Sequence, residues 1–256
     1  MAAAPPDIPG YALQHQLGRG ENAEVWLARD AQGSAVAIKL IRPGVHRAAL
    51  AASLQHEQQV LALLDHPHIA RVHGGGQDST GLAYLVLDHV DGPDLHGWLA
   101  RRRPLAQRLA LLRQIVHALD HAHSHNISHR DLTASNVLVD HMGAARVIDF
   151  GQARQQADVA GDVHAVGKIM AALLAHGSRR ELAAIAARAS AGRPQDRYAD
   201  MAELLADLDH YAARRPVRAF STSWRYRTAK WLSRHRLWLT ASAVMALAIT
   251  VLPDIA

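Results

Sequence analysis

Between residues 11 and 41, apolar and polar positions alternate in three short runs, Tyr11 to Leu17, Val25 to Arg29 and Ala35 to Ile41, separated by turn-forming residues. Alternation of this kind predicts three strands. From residue 47 to 64 the spacing lengthens, with Leu50, Leu54, Val60, Leu61 and Leu64 at helical intervals. Two more strands are expected at Ala70 to His73 and Leu82 to Leu87, joined by a Gly74-Gly75-Gly76 loop. Beyond them the pattern turns helical. A short helix is expected at Leu95 to Leu99, and a long one from about Leu105 to His125 that buries Leu109, Leu112, Ile115, Val116 and Leu119. Others are expected from Asp162, at Glu181 to Ala189, and at Ala199 to Tyr211. Strands first and helices afterwards is an α+β order.

Composition and charge change this picture mainly at the C-terminus. A chain of 256 residues with 49% hydrophobic content can bury a substantial core. It has no cysteine, which excludes disulfides and cysteine-ligated zinc. Met1 to Asp7 has no basic start and no apolar run, so a secretory signal peptide is not expected. The net charge of +5 is uneven: residues 214–256 hold eight basic residues and one acid, leaving 20 basic against 22 acidic groups in residues 1–213. The basicity thus belongs to the tail, which argues against a nucleic-acid-binding core and favours a membrane surface as partner. Arg214 to Arg236 reads as a basic, aromatic juxtamembrane linker, and Leu237 to Leu252 runs 16 residues without a charge. As a helix that stretch is roughly 24 Å long against a hydrocarbon core of about 30 Å. It spans with local thinning, lies on the surface, or packs on the protein; spanning is favoured, and the charge bias puts the rest of the chain on the cytoplasmic side.

The chemistry concentrates in His129-Arg130-Asp131-Leu132-Thr133-Ala134-Ser135-Asn136 and Ile148-Asp149-Phe150-Gly151. Here a lone carboxylate and an amide oxygen precede a second carboxylate at the end of an apolar run, the groups that phosphoryl transfer requires. Asp131 is suited to orient a hydroxyl and accept its proton, Asn136 and Asp149 to hold Mg²⁺ against ATP phosphates. Gly18-Arg19-Gly20 between two strands lets backbone approach phosphate, although such a pair alone is also an ordinary hairpin turn. Lysine is rare, at Lys39, Lys168 and Lys230 only, so Lys39 in Val36-Ala37-Ile38-Lys39 stands out against a background of arginine. His117 and His121 are spaced to share a metal, but no third ligand is placed to close a site, and a polar helix surface is the favoured reading.

Taken together, the spacings H-R-D-L-x-x-x-N, D-F-G, G-x-G and V-A-I-K resemble those of the bacterial eukaryotic-like Ser/Thr protein kinases. The resemblance implies a two-lobed fold over residues 11–213: an antiparallel-sheet lobe with one helix (11–87), a hinge (88–94) and a mainly helical lobe (95–213), preceded by a flexible N-terminus (1–10) and followed by the linker (214–236) and apolar helix (237–252). It implies that ATP and Mg²⁺ are bound. Lys39 would hold the phosphates and Glu57 would orient it. Gly18, Gly20, Val25, Ala37, Leu87, Asp88, Val90, Asp94 and Leu138 would enclose the nucleotide. Asp131 would serve the acceptor hydroxyl, and Asn136 and Asp149 the metal. Asp94 also reads as a helix N-cap. Asp162 would cap its helix and tie it to the catalytic loop.

Three departures bear on function. Ala23 replaces the third loop glycine. Thr133 stands where the family has a lysine beside the catalytic aspartate, and losing a cation at a developing negative charge lowers rates on the order of 10²-fold unless something substitutes. Only Gln152 to Gly161 separate Gly151 from Asp162, too few residues for the usual activation segment and its closing Ala-Pro-Glu, so Arg197 lacks its family partner and Arg130 has no phosphorylated loop to receive. Three readings follow: a kinase for protein Ser/Thr hydroxyls, a nucleotide-binding pseudokinase scaffold, or a kinase for a small molecule or lipid head group.

Overall fold

The computed structural model describes residues 6–42, 47–155, 158–174, 180–221 and 223–235. Strands β1 (Ala12–Arg19), β2 (Ala23–Arg29), β3 (Ala35–Ile41), β4 (Val72–Gln77) and β5 (Ala83–Asp88) form one antiparallel sheet ordered β1-β2-β3-β5-β4, and α1 (Arg47–Leu61) packs against it. Along β3, Val36, Ile38 and Leu40 enter a cluster with Ala28, Leu82 and Val86, whereas Ile41, two residues from Lys39, joins the main core. Strand alternation thus turns Lys39 to the opposite face from Ile38, the face that carries α1.

The helical lobe comprises α2 (Leu95–Ala100), α3 (Leu105–Ser124), α4 (Val159–Leu174), α5 (Arg180–Ala189), α6 (Met201–Ala212) and α7 (224–235). Two small ladders complete it: β6 (Ile127–Ser128) pairs with β9 (Arg154–Gln155), and β7 (Val137–Val139) with β8 (Ala145–Val147). These ladders position the chemistry. Loop 129–136 is fixed between β6 and β7, and β8 delivers the chain to Asp149.

Several expectations need correction. Gly74 to Gly76 is not a loop but part of β4, paired with Tyr84 to Val86; the turn lies at Asp78 to Gly81. A Cβ on Gly75 would come within 2.8 Å of Gln58 Oε1 and Tyr84 O, so glycine is there for lack of room. Leu109 is only partly buried, and the apolar stripe of α3 runs instead through Leu111, Leu112, Ile115, Val116, Ala118, Leu119 and Ala122. That stripe is broad because α3 touches α4, α6, β6 and β8. The N-terminus is not wholly loose, since Ile8 is buried with Val36 and Ile38. The linker at 214–236 is built into the domain as far as it is described. Val217 is fully buried, and the carboxylate of Asp207 in α6 accepts from Tyr198 Oη (3.0 Å) and the backbone N–H groups of Arg218 (2.8 Å) and Ala219 (2.9 Å). The apolar stretch 237–252 lies outside the described residues; among those described, no helix is long and apolar enough to cross a membrane.

The hinge lies hard against the helical lobe. A Cβ on Gly92 would sit 1.9 Å from Val139 O. Gly92→Ala is expected to force hinge and β7 apart and cost on the order of 2 kcal/mol or more, read as a lowered urea midpoint.

A histidine cluster sits where α1 turns toward β4. His66 stacks on His121 at 5.2 Å, and His121 meets His125 at 4.6 Å. Burial, then neighbouring His121 and His68, push His66 down to about 4; burial also lowers His68 and His121. A histidine whose folded pKa lies below its unfolded one binds fewer protons folded than unfolded, so stability is lost as pH falls below the ordinary value of about 6.5. The melting temperature is expected to drop between pH 7 and pH 4.5, and more shallowly in His66→Gln.

Candidate active site

Lys39 reaches from β3 to α1, its Nζ lying 2.7 Å from Glu57 Oε2 and 3.0 Å from Oε1, and also 2.7 Å from Asp149 Oδ1. Glu57 is 1% exposed, so its carboxylate has exchanged water for this one ammonium. The electrostatics are asymmetric. Burial works against the Lys39 cation, but two carboxylates more than offset it and raise its pKa. Burial works against the Asp149 anion too, yet Lys39 and the Gly151 N–H prevail and hold its pKa below the usual carboxylate range. Glu57, sealed in and sharing its cation with Asp149, is pushed up by burial. Lys39 and Asp149 therefore carry full charge at neutral pH.

The loop between β6 and β7 is fixed from beneath. Asp162, fully buried in the first turn of α4, accepts from His129 N (2.8 Å) and Arg130 N (2.9 Å) and meets His123 Nε2 at 2.8 Å. It does not cap α4, which begins earlier at Val159, but it does hold the loop. His129 Nε2 lies 3.0 Å from Ile148 O and its ring 4.6 Å from Phe150, which is fully buried. Arg130 and Asp149 adopt φ of +67° and +64°, conformations that side chains tolerate at a cost and that fixed surroundings must impose.

Asn136 Nδ2 donates to Asp131 O (2.8 Å), which fixes its amide and leaves Oδ1 for another partner. Together with the ionised Asp149, this is a hard-oxygen donor set that fits Mg²⁺. A cavity of about 320 Å³ opens beside it, lined by Gly18, Val25, Ala37, Lys39, Glu57, Leu87, Asp88, Val90, Leu138 and Asp149, all anticipated from sequence. Leu17, Ala70, His89, Ser135 and Ile148 also line it and were not anticipated; four of the five are apolar or small residues with no chemical signal of their own, and His89 lies in the hinge between Asp88 and Val90. Val90 makes no backbone hydrogen bond among the described residues, which suits an adenine edge.

Other expected residues lie apart from the cavity lining. Gly20 closes the β1–β2 turn, its N–H donating to Ala23 O (2.8 Å), and Arg42 donates to Glu21 O (3.1 Å) in the same turn. Asp94 is the N-cap of α2, accepting from Gly97 N at 2.8 Å. Asp131 and Asn136 stand outside the cavity wall, and exposed Thr133 touches Ser135 Oγ (2.9 Å) rather than Asp131. The partner of Asp131 is Gln152, whose Nε2 donates to Oδ2 at 3.2 Å, a contact between residues too far apart in sequence to be anticipated.

After Gly151, only residues 152–158 precede α4. Arg197, expected to lack its family partner, donates to three backbone carbonyls, Ala160 (2.8 Å), Ala191 (2.8 Å) and Gly192 (3.1 Å).

Residues 11–175 match the family model described as "Protein kinase domain". The serine/threonine-protein kinase PknD of Mycobacterium tuberculosis, in two strains, is 37% identical over 152 residues, covering 58% of this chain and 23% of that protein. This chain thus spans about a quarter of the length of the curated relative. The solved PknI kinase domain from the same organism aligns with a TM-score of 0.65 and 26% identity, over 82% of this chain and 99% of that one. With its sheet lobe, helical lobe, and Lys39, Glu57 and Asp149 joined at the cleft between them, the chain belongs to the protein kinase family.

Proposed function

We propose that the protein transfers the γ-phosphoryl group of ATP to Ser/Thr hydroxyls of a protein, as a membrane-anchored minimal kinase. The observation that carries this is the charged array Glu57–Lys39–Asp149 beside a cavity of nucleotide size, with Asn136 and Asp131 on a loop held by Asp162. Lys39 binds phosphate oxygens, and Glu57 keeps its ammonium aimed. Asn136 and Asp149 hold Mg²⁺, which when bound neutralises the charge gathering on the transferred group. Asp131 orients the attacking hydroxyl and accepts its proton, Gln152 limiting the swing of its carboxylate. Val90 and Asp88 meet the adenine, and Val25, Ala37 and Leu138 close over it. Anchoring rests on the uncharged run 237–252 and the basic residues before it, whose charge bias favours the cytoplasmic face of the inner membrane for the kinase domain.

The short segment after Gly151 favours a second reading for the acceptor only. With few residues to present a peptide, a small molecule or lipid head group remains a competing acceptor. Labelled ATP supplied with Mg²⁺ to the full chain, in the presence of a generic basic protein, a lipid extract and a sugar extract in parallel, separates the cases. Label on serine or threonine of the protein, or of the kinase itself, supports the proposal. Label confined to lipid or sugar selects the second reading. Mg-ATP-dependent thermal stabilisation without any transfer selects the pseudokinase scaffold.

A further inference from the structure

The exposed side of α7 carries three of the exposed large hydrophobic side chains among the described residues, and the catalytic reading leaves it unused. Its inner side is clamped to the helical lobe. Tyr226 Oη donates to Glu181 Oε1 (2.7 Å) and accepts from Val217 N (3.1 Å), while Lys230 Nζ lies 2.7 Å from the same Glu181. Phe220 packs on the Tyr226 ring at 5.2 Å. Outward point Trp224 (70% exposed), Trp231 (51%) and Leu232 (46%), among exposed Arg225, Arg227 and Arg234. None of these three arginines has a carboxylate partner among the described residues. Arg225 lies over the Trp224 ring at 5.7 Å. Large aromatics left in water beside cations without carboxylate partners are costly for a free surface and suited to an anionic bilayer, where the rings enter the headgroup region and the guanidinium groups meet lipid phosphate.

We propose that α7 docks lengthwise on an anionic membrane surface and, being clamped through Tyr226, Lys230 and Glu181, holds the kinase domain in one orientation on the bilayer instead of trailing it on a free linker. This rests on the anchoring reading, because the uncharged run begins at Leu237, two residues beyond the described part of α7, and anchoring through it would bring this face to the lipid. Charge separates the membrane from other occupants: the exposed cations match phosphatidylglycerol head groups, and a second copy of α7 would set arginine against arginine.

The chain has no cysteine, so single labels can be introduced cleanly. Thr228→Cys, on the outer side of α7, and Met142→Cys, an exposed control, each take a polarity-sensitive dye in the full chain. Flotation with vesicles reports anchoring, and the dye reports docking. The expected result is flotation with vesicles of phosphatidylcholine with or without phosphatidylglycerol, and a blue shift at position 228 but not 142 that requires phosphatidylglycerol and disappears in Arg225→Ser/Arg227→Ser/Arg234→Ser. Glu181→Gln is expected to lower the anisotropy of the 228 dye in lipid-free protein by releasing the clamp; unchanged anisotropy refutes the clamp. Flotation with the 228 dye still in water overturns docking while anchoring survives. Failure to float overturns both. A shift without lipid that grows with protein concentration assigns the face to a second copy.

Discussion

Asp162→Ala is expected to remove phosphoryl transfer almost completely and to destabilise the fold by about 3 kcal/mol, although Asp162 meets neither nucleotide nor acceptor in the proposed mechanism. Its carboxylate, fully buried, takes the backbone N–H groups of His129 and Arg130 and the His123 ring. Alanine leaves two backbone donors facing a void, each costing about 1–3 kcal/mol. The loop loses the contacts that impose φ +67° at Arg130, so Asp131 moves away from its productive position. A displacement of about 1 Å at such a group costs on the order of 10²-fold in rate. Asp162→Asn restores one acceptor but sets its NH₂ against the other backbone N–H, and intermediate values are expected. Urea denaturation and initial transfer rates check both variants; full activity in Asp162→Ala would show that the loop holds its shape unaided.

Lys39→Met is expected to abolish Mg-ATP thermal stabilisation as well as transfer. Methionine fills much the same space without charge, so the loss is electrostatic. Two anions then remain. Asp149, 44% exposed at its side chain, can turn to water; Glu57, at 2%, cannot, and protonates more readily than its present raised pKa already allows. Breaking a buried pair from one side costs about 3–5 kcal/mol when the charge stays, less when the group takes up a proton. Lys39→Met is therefore less stable than wild type at pH 8, and the gap narrows toward pH 5 as Glu57 takes up a proton. Lys39→Met/Glu57→Leu is expected to recover much of the stability and none of the activity, which separates the structural role of the pair from the chemical one.

What could be read from sequence was what spacing encodes. Lys39 and Glu57 lie 18 residues apart on elements of opposite periodicity, and strand and helix geometry place them on facing surfaces. The loop at 129–136 was legible as a unit because its residues are contiguous. The hidden features depend on partners far along the chain. The contact of Gln152 with Asp131 spans 21 residues, and the clamp of Tyr226 on Glu181 spans 45, with no local pattern to announce either. Gly74 to Gly76 misled because glycine signals a turn when read locally, whereas here it makes room for Gln58 and Tyr84. Arg197 lacks the family's carboxylate partner, as the sequence implies, and the backbone carbonyls that satisfy it instead have no sequence identity to read.

The central claim is that the site transfers phosphate and does not merely hold nucleotide, and Asp131→Asn tests it most directly. The substituted amide keeps the size and polarity of the side chain and loses only the anion that accepts the hydroxyl proton. With labelled Mg-ATP and a generic protein acceptor, the variant should retain the wild-type nucleotide-induced thermal shift while the transfer rate falls on the order of 10²–10⁴-fold. Equal rates in wild type and Asp131→Asn would contradict the claim.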